Sequence, residues 1–361
     1  MPILDRTKVR PDVLKILDDT TQDMMKMVLQ FTVLEENKGF NFQQIYKKTM
    51  DLNELFFKRE KGAAELHDLL TDEERDYLKR LLRYMYEHSA KLDLENFPIP
   101  SDIEIKSTML GEIPAEWVIP PNPIEDRLIL HIHGGGWITG SPFIERKIIS
   151  KFVKATNLKL VSIDYRLAPE YPFPTPLDDC VTAYNWLLSN GFKSENIIIA
   201  GESAGGNLTL ATLLKLKDQG IDLPAGAICL SPLTDMTLSD DFFFENASTD
   251  PGLSDLGIFW WPVSYLAGED PHNPYVSPLF GDLSGLPPIL IQVSTCEMLY
   301  SDASRFVEKA KETGVNAILQ VWDDMPHVFQ QFRFELLSEA EEAINKIAEF
   351  TNQIFDVLTV Y

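Results

Sequence analysis

The chain has 361 residues, 45% hydrophobic and 24% charged, enough to bury one large core. A formal net charge of −23 argues against nucleic acid or an anionic membrane surface as partner. No apolar run reaches the roughly eighteen residues that a membrane span needs, and the start MPILDRTKVRPDVLKILDD has no signal-peptide core, so a cytoplasmic protein is expected.

Residues 1–98 read as helical and polar-faced. Apolar side chains recur at helical spacing over 13–31 and again over 72–88, with Thr71 and the acidic turn after it marking a helix start. The segment FPIPSD (97–102) reads as a linker to a second region, 99–361. There the pattern turns to short β-rich runs at 103–107, 115–119, 128–133, 158–163, 196–201, 226–231, 288–293 and 317–322. Helical stretches separate most of them. Continuous Ile/Val/Leu strands alternating with helices predict an α/β fold whose mostly parallel sheet is covered on both faces. One interval breaks this rhythm: about 236–275 contains DFFFENAS and GIFWWPVSYLAG, and an inserted helical element is expected there. Cys180 and Cys229 fall in apolar periodic stretches and read as buried thiols; Cys296, beside a candidate carboxylate, is also read as packing.

Two motifs carry chemistry. GESAG (201–205) follows strand NIIIAG and opens a helix, the context that a G-x-S-x-G nucleophile elbow requires. A sharp turn lifts the Ser203 hydroxyl clear of the sheet, and the helix directs its amino-terminal amides at it. HGGGW (133–137) follows strand LILHIH. Three successive glycines are costly in backbone entropy unless the loop must turn its N–H groups inward. With Ala204, the amides of Gly135 and Gly136 are then the candidate oxyanion donors. His133 reads as a hydrogen-bond donor that holds this loop.

In an elbow-type hydrolase the chain order is serine, acid, histidine. Two histidines follow Ser203. His272 lies in a Pro-rich loop, where a turn role suffices; His327 follows a strand end in DDMPH, where crevice chemistry belongs. The acid lies within STCEMLYSD (294–302). Asp302 stands in the first turn of a helix, which explains an acidic residue without catalysis. Glu297 has no such role and is favoured over it. Glu202, inside the elbow, is read as an electrostatic neighbour rather than a partner of the histidine.

HGGGW, YRLAPEYPFP (165–174), GESAGGN (201–207), SPLTD (231–235) and DDMPHVF (323–329) occur in order, and together they resemble the hormone-sensitive lipase family of esterases. The resemblance implies the α/β-hydrolase fold with an eight-stranded sheet and a helical cap, built from amino-terminal helices and the insertion. It also implies an acid about thirty residues before the histidine, which is the spacing of Glu297 and His327. Glutamate at 297 and at 202 departs from the family's commoner aspartate. The implied activity is hydrolysis of short- to medium-chain carboxylic esters by a Ser203–His327–Glu297 triad, with no metal or organic cofactor. Trp137 and Phe329 are the expected substrate contacts, among aromatics that include Phe242, Phe243, Phe244, Trp260 and Trp261. Arylacetamide deacetylases share the resemblance, which keeps amide or small-acyl hydrolysis as an alternative. Gibberellin receptors share it too, but they lack the histidine that this chain retains. The amino-terminal region is longer than the resemblance accounts for, leaving part of it for homodimer contacts.

Overall fold

The structure, a computed structural model, describes residues 4–253, 258–333 and 335–359. Four helices come first: α1 (Pro11–Thr32), α2 (Phe42–Phe57), α3 (Ala63–Asp68) and α4 (Asp72–Asn96). The start of α4 is a capping box. Thr71 Oγ1 accepts from the Glu74 amide at 3.2 Å, and Glu74 Oε2 accepts from the Thr71 amide at 2.8 Å. Two orphaned donors are thus satisfied reciprocally, a contribution of about 1 kcal/mol to a helix end.

The remaining elements in chain order are β1 (Glu104–Leu110), β2 (Ile113–Ile119), β3 (Ile124–Ile132), α5 (Arg146–Thr156), β4 (Leu158–Ile163), α6 (Thr175–Ser189), β5 (Ile197–Glu202), α7 (Ala204–Asp218), β6 (Gly226–Leu230), α8 (Asp241–Glu245), α9 (Trp260–Leu266), β7 (Ile289–Ser294), α10 (Tyr300–Glu312), β8 (Ala317–Trp322) and α11 (Ser338–Thr359). The eight strands form one sheet in the order β1-β2-β4-β3-β5-β6-β7-β8. β1 pairs with β2, and β2 with β4, in antiparallel fashion; the other pairs are parallel. All eight expected strands are present, with ends shifted by a few residues.

The continuous apolar runs are explained by burial on both faces. In β3, Leu128, Leu130 and Ile132 join one core while Ile129 joins the other; in β5, Ile197 and Ile199 oppose Ile198 and Ala200. Side chains alternate across a strand, so both halves of the alternation must be apolar when helices cover each side. The first core is closed by α6, α7 and α10 and continues into Phe31, Phe56 and Tyr77 of the amino-terminal helices and Phe243, Phe259 and Trp260 of the insertion. The second is closed by α5 and α11 through Ile149, Phe152, Ile347 and Phe350. A third cluster joins Val9, Val13 and Ile16 to Met325, Phe329 and Leu337, seating the start of α1 on the loop after β8. Of the expected insertion, residues 254–257 lie outside the described residues; α8 and α9 occupy its flanks.

No helix among the described residues is long and apolar enough to cross a membrane.

Candidate active site

Parallel neighbours β5, β6, β7 and β8 end at the same edge of the sheet, and each hands over to a chemically distinct loop. Ser203 follows β5, Ser231 follows β6, Glu297 lies just past β7, and His327 lies past β8.

Ser203 has φ 54° and ψ −117°, a conformation that a non-glycine residue holds only when its surroundings impose it. Its neighbours make that turn feasible. A Cβ on Gly201 would lie 2.4 Å from the Gly205 carbonyl oxygen, and one on Gly205 would lie 2.0 Å from that of Ile132. Neither position has room for a side chain. The Ser203 amide donates to the Leu230 carbonyl at 2.8 Å, tying the elbow to β6.

Glu297 is fully buried, and its two oxygens do different work. Oε2 accepts from His327 Nδ1 at 2.6 Å. Oε1 accepts from Ser231 Oγ at 2.9 Å and from the Ser294 amide at 2.8 Å. This fixes the histidine tautomer, with Nδ1 as donor and Nε2 as the free acceptor. Burial pulls the His327 pKa down, but the hydrogen bond and charge of Glu297, with Asp250 and Glu202 behind it, raise it above its ordinary value. Among the described residues no hydrogen bond joins Ser203 Oγ to His327; such contacts are often long in ligand-free enzymes and tighten around substrate.

The glycine run turns back on itself with φ 103° at Gly135 and 61° at Gly136. Among the described residues the amides of both are without a hydrogen-bond acceptor, whereas the Gly134 amide donates to Glu202 Oε1 at 2.6 Å. Glu202 Oε2 in turn meets His131 Nε2 at 2.9 Å, and His131 Nδ1 meets Ser162 Oγ at 3.0 Å. Burial opposes the Glu202 charge, yet His131 and the Gly134 amide more than offset it and hold the carboxyl below its usual range. Glu202 is therefore the brace between elbow and glycine run, a more specific role than the electrostatic one expected from sequence. His133 holds the same loop from its other side. Its Nδ1 donates to the Gly134 carbonyl at 2.8 Å, its ring stacks on Tyr165 at 4.1 Å, and burial pushes its pKa down to about 4, keeping it neutral.

Asp302 does not face His327. It is buried at the start of α10, where Oδ1 accepts from the amides of Thr234 and Asp235 at 2.6 and 2.8 Å. Burial drives its carboxyl up to about 7. The protonated form is thus the one the fold favours: this stabilisation is complete below the ordinary carboxylate range and is lost as pH rises through about 7. Asp302→Asn, which keeps the accepting oxygen, is expected to retain ester hydrolysis within about twofold and to flatten the fall in melting temperature between about pH 5 and about pH 8. Thermal unfolding at several pH values, beside initial rates, checks both parts. His272 is solvent-exposed and paired with Asp270 at 3.1 Å, a turn role.

The two expected substrate contacts are both packed in the interior in this structure. Trp137 is buried, stacked on Tyr265 with centroids 4.8 Å apart and planes at 11°. Phe329 is fully buried against Trp322, Val13 and Leu337, held by the third core cluster. Phe243 and Trp260 are also core, and Phe242 is exposed to solvent. Trp261 is the aromatic that reaches the site. A Cβ on Gly136 would lie 2.6 Å from its ring, so the insertion closes directly over the glycine run.

Sequence reasoning missed how the insertion grips the acid loop. Asn246 Nδ2 donates to the carbonyls of Thr295 and Glu297 at 3.1 and 2.8 Å, and Thr249 Oγ1 donates to that of Cys296 at 3.1 Å. Asp250 Oδ2 accepts from the Met298 amide at 2.9 Å, while Oδ1 accepts from Gly252 and Leu253. Gly252 lies against His327, where a Cβ would stand 2.8 Å from the histidine's own. Asn, Thr and Asp in ENASTDPG look like ordinary loop residues, and nothing local in the sequence distinguishes a clamp from a turn.

A family profile described as alpha/beta hydrolase fold matches residues 129–331. An esterase of Acinetobacter venetianus is 37% identical over 259 residues, covering 72% of this chain and 85% of its own. An acetyl-hydrolase of Streptomyces hygroscopicus is 36% identical, covering 67% and 80%. Among solved structures, an esterase from the bacterial hormone-sensitive lipase family superposes with a TM-score of 0.70 at 36% identity, covering 85% of this chain and 98% of that one. The chain belongs to the hormone-sensitive lipase family. An esterase/lipase from an uncultured bacterium is similar at 39% identity and TM-score 0.72, covering 77% of this chain and 92% of that one. For this hormone-sensitive lipase family chain, the motif segments 133–137, 201–207 and 323–329 all fall inside the matched range.

Proposed function

We propose that this carboxylic ester hydrolase cleaves short- to medium-chain esters, with Ser203 as nucleophile, His327 as base and Glu297 as the acid that orients it. The observation that carries the reading is the 2.6 Å Glu297–His327 bond, at the same sheet edge as a serine held in a strained turn. His327 Nε2 takes the Ser203 proton as Oγ attacks the ester carbonyl, and Glu297 steadies the imidazolium. The free amides of Gly135 and Gly136, with that of Ala204 at the start of α7, receive the negative oxygen of the tetrahedral intermediate. Collapse expels the alcohol, which takes the proton from His327. Water then enters, loses a proton to His327, attacks the acyl-enzyme, and the acid leaves as Ser203 recovers its proton.

Helices α1–α4 and the insertion at about 236–275 form the cap in this reading. Trp261 over Gly136 limits the space above the nucleophile and favours small acyl groups, in keeping with the acetyl-hydrolase named among the relatives. Rates across p-nitrophenyl acetate, butyrate, octanoate and palmitate test it. Butyrate is expected to exceed palmitate by about tenfold or more in kcat/KM, and a fluorophosphonate probe is expected to label Ser203. A chain that prefers palmitate, or that the probe leaves unlabelled, contradicts the reading.

A further inference from the structure

Three polar side chains stand in the apolar core behind the glycine run. Ile129, Leu160 and Ala200 belong to the core closed by α5 and α11, and His131, Ser162 and Glu202 each stand two residues beyond one of them. Side chains alternate along a strand, so all three share that face. His131 on β3 is in register with Ser162 on β4 and Ala200 on β5. His131 and Ser162 are fully buried and Glu202 nearly so, and the Phe152 ring meets that of His131 edge-on at 6.5 Å. Buried polar groups cost free energy that apolar side chains of similar size would not. Packing alone therefore does not account for them.

Their hydrogen bonds run in one direction, toward the glycine run. A carboxylate only accepts, so His131 Nε2 is the donor in its 2.9 Å contact with Glu202 Oε2. In a neutral imidazole Nδ1 is then the acceptor, and it receives the Ser162 hydroxyl at 3.0 Å. This is the reverse of His327, where Nδ1 donates. Glu202 Oε1 accepts from the Gly134 amide at 2.6 Å, and the Gly134 carbonyl accepts from His133 Nδ1 at 2.8 Å. Gly134 is thus held at both its amide and its carbonyl. That carbonyl lies in the same planar peptide as the Gly135 amide, so fixing one aims the other. A Cβ on Gly134 would stand 2.9 Å from the Glu202 carbonyl oxygen and 3.5 Å from the Ser203 Cβ, which places this residue directly against the elbow.

Resting on the ester-hydrolase reading above, we propose that His131 is a positioning residue for the oxyanion hole, acting through Glu202. With Nε2–H on Oε2, the carboxylate keeps Oε1 on the Gly134 amide, and Ser162 keeps the ring proton on the nitrogen that faces Glu202. Gly134 then presents the Gly135 amide to the developing oxyanion at a fixed angle. The same bonds limit an electrostatic cost. A bare carboxylate next to Ser203 would repel the negative oxygen, and two donors draw its charge away.

His131→Met removes the donor and keeps much of the side-chain volume. Its kcat for p-nitrophenyl butyrate, per serine titrated with a fluorophosphonate, is expected to fall by about 10- to 100-fold with KM within about twofold. An alkyl trifluoromethyl ketone adds to the serine oxygen as a charged hemiketal, the serine proton passing to His327. It needs the same amides and is expected to lose affinity by about the same factor. His131→Gln, whose amide again offers Glu202 a donor, is expected to recover most of both losses. Ser162→Ala removes a single hydroxyl and is expected to cost about three- to tenfold by both measures; it decides the matter if His131→Met does not fold. A role in packing alone would lower the melting temperature and the titrated fraction, leaving kcat per titrated serine and ketone affinity unchanged. That result in either folded variant overturns the inference. If the unaltered protein hydrolyses p-nitrophenyl butyrate while the variants behave so, the positioning role alone is wrong. If it hydrolyses no ester, the activity itself is wrong and the positioning role goes with it.

Discussion

Ser203→Ala is expected to lower kcat for p-nitrophenyl butyrate by about 10⁵- to 10⁶-fold, with a melting temperature at or above that of the unaltered chain. The activity loss follows from chemistry: the hydroxyl that would form the acyl-enzyme is gone, and water must attack without a covalent step. The residual rate comes from the glycine amides and from binding, which the substitution leaves in place. The stability follows from the backbone. Ser203 is held at φ 54° by the Gly201–Gly205 approach and by its own amide on Leu230, and its hydroxyl contributes none of those contacts. Initial rates and thermal unfolding on one preparation separate the two effects. A variant that keeps even a hundredth of the activity would refute the nucleophile assignment.

Glu297→Gln is expected to cost about 10³- to 10⁴-fold in kcat, because an amide facing His327 Nδ1 can present a donor where the ring needs an acceptor and selects the wrong tautomer. A second signature has a definite sign. His327 acts as a base when neutral, so activity rises as pH climbs through its pKa. The charges facing it are Glu297, Asp250 and Glu202, and together they raise that pKa against burial. Removing Glu297 takes away the largest of these and moves the acidic limb of kcat/KM to lower pH, even as the plateau falls. A kcat/KM profile across the histidine range measures both. Were Asp302→Asn to abolish activity instead, with Glu297→Gln nearly normal, the acid would have to be reassigned.

The fold was readable because its signals are long and redundant. Strands buried on both faces must be apolar at every position, and runs such as NIIIAG leave little else to be. The elbow and the glycine run are readable for a different reason: backbone crowding restricts both to residues without a Cβ, and the clearances at Gly201, Gly205 and Gly135 show how little room there is. The surroundings of the aromatics are less legible. A tryptophan after a glycine run or a phenylalanine after a histidine can face a pocket or a core with the same local sequence. Tyr265, in the insertion, decides the matter for Trp137, and Val13, some three hundred residues upstream, helps decide it for Phe329. Asn246, Thr249 and Asp250 were invisible for the same reason, since their partners lie about fifty residues further along the chain. Ser231 was noticed as part of SPLTD, but its bond to Glu297 depends on β6 and β7 being neighbours in the sheet.

Glu202 and the Asn246–Asp250 segment set an order of failure for the enzyme. The proposed oxyanion donors and nucleophile are braced to each other by Glu202 at the end of β5, independently of the 246–250 segment. The proposed acid, Glu297, is held by Ser231 and Ser294 at the sheet, and its loop is moored to the insertion as well. Warming or mild denaturant that frees residues 246–250 would therefore leave a serine and an anion cradle still in register, with an acid loop that keeps its sheet-side bonds to Ser231 and Ser294 but has lost its other mooring. Such a protein can still meet a highly reactive probe that needs little help from a base, long after it has stopped turning over an ester.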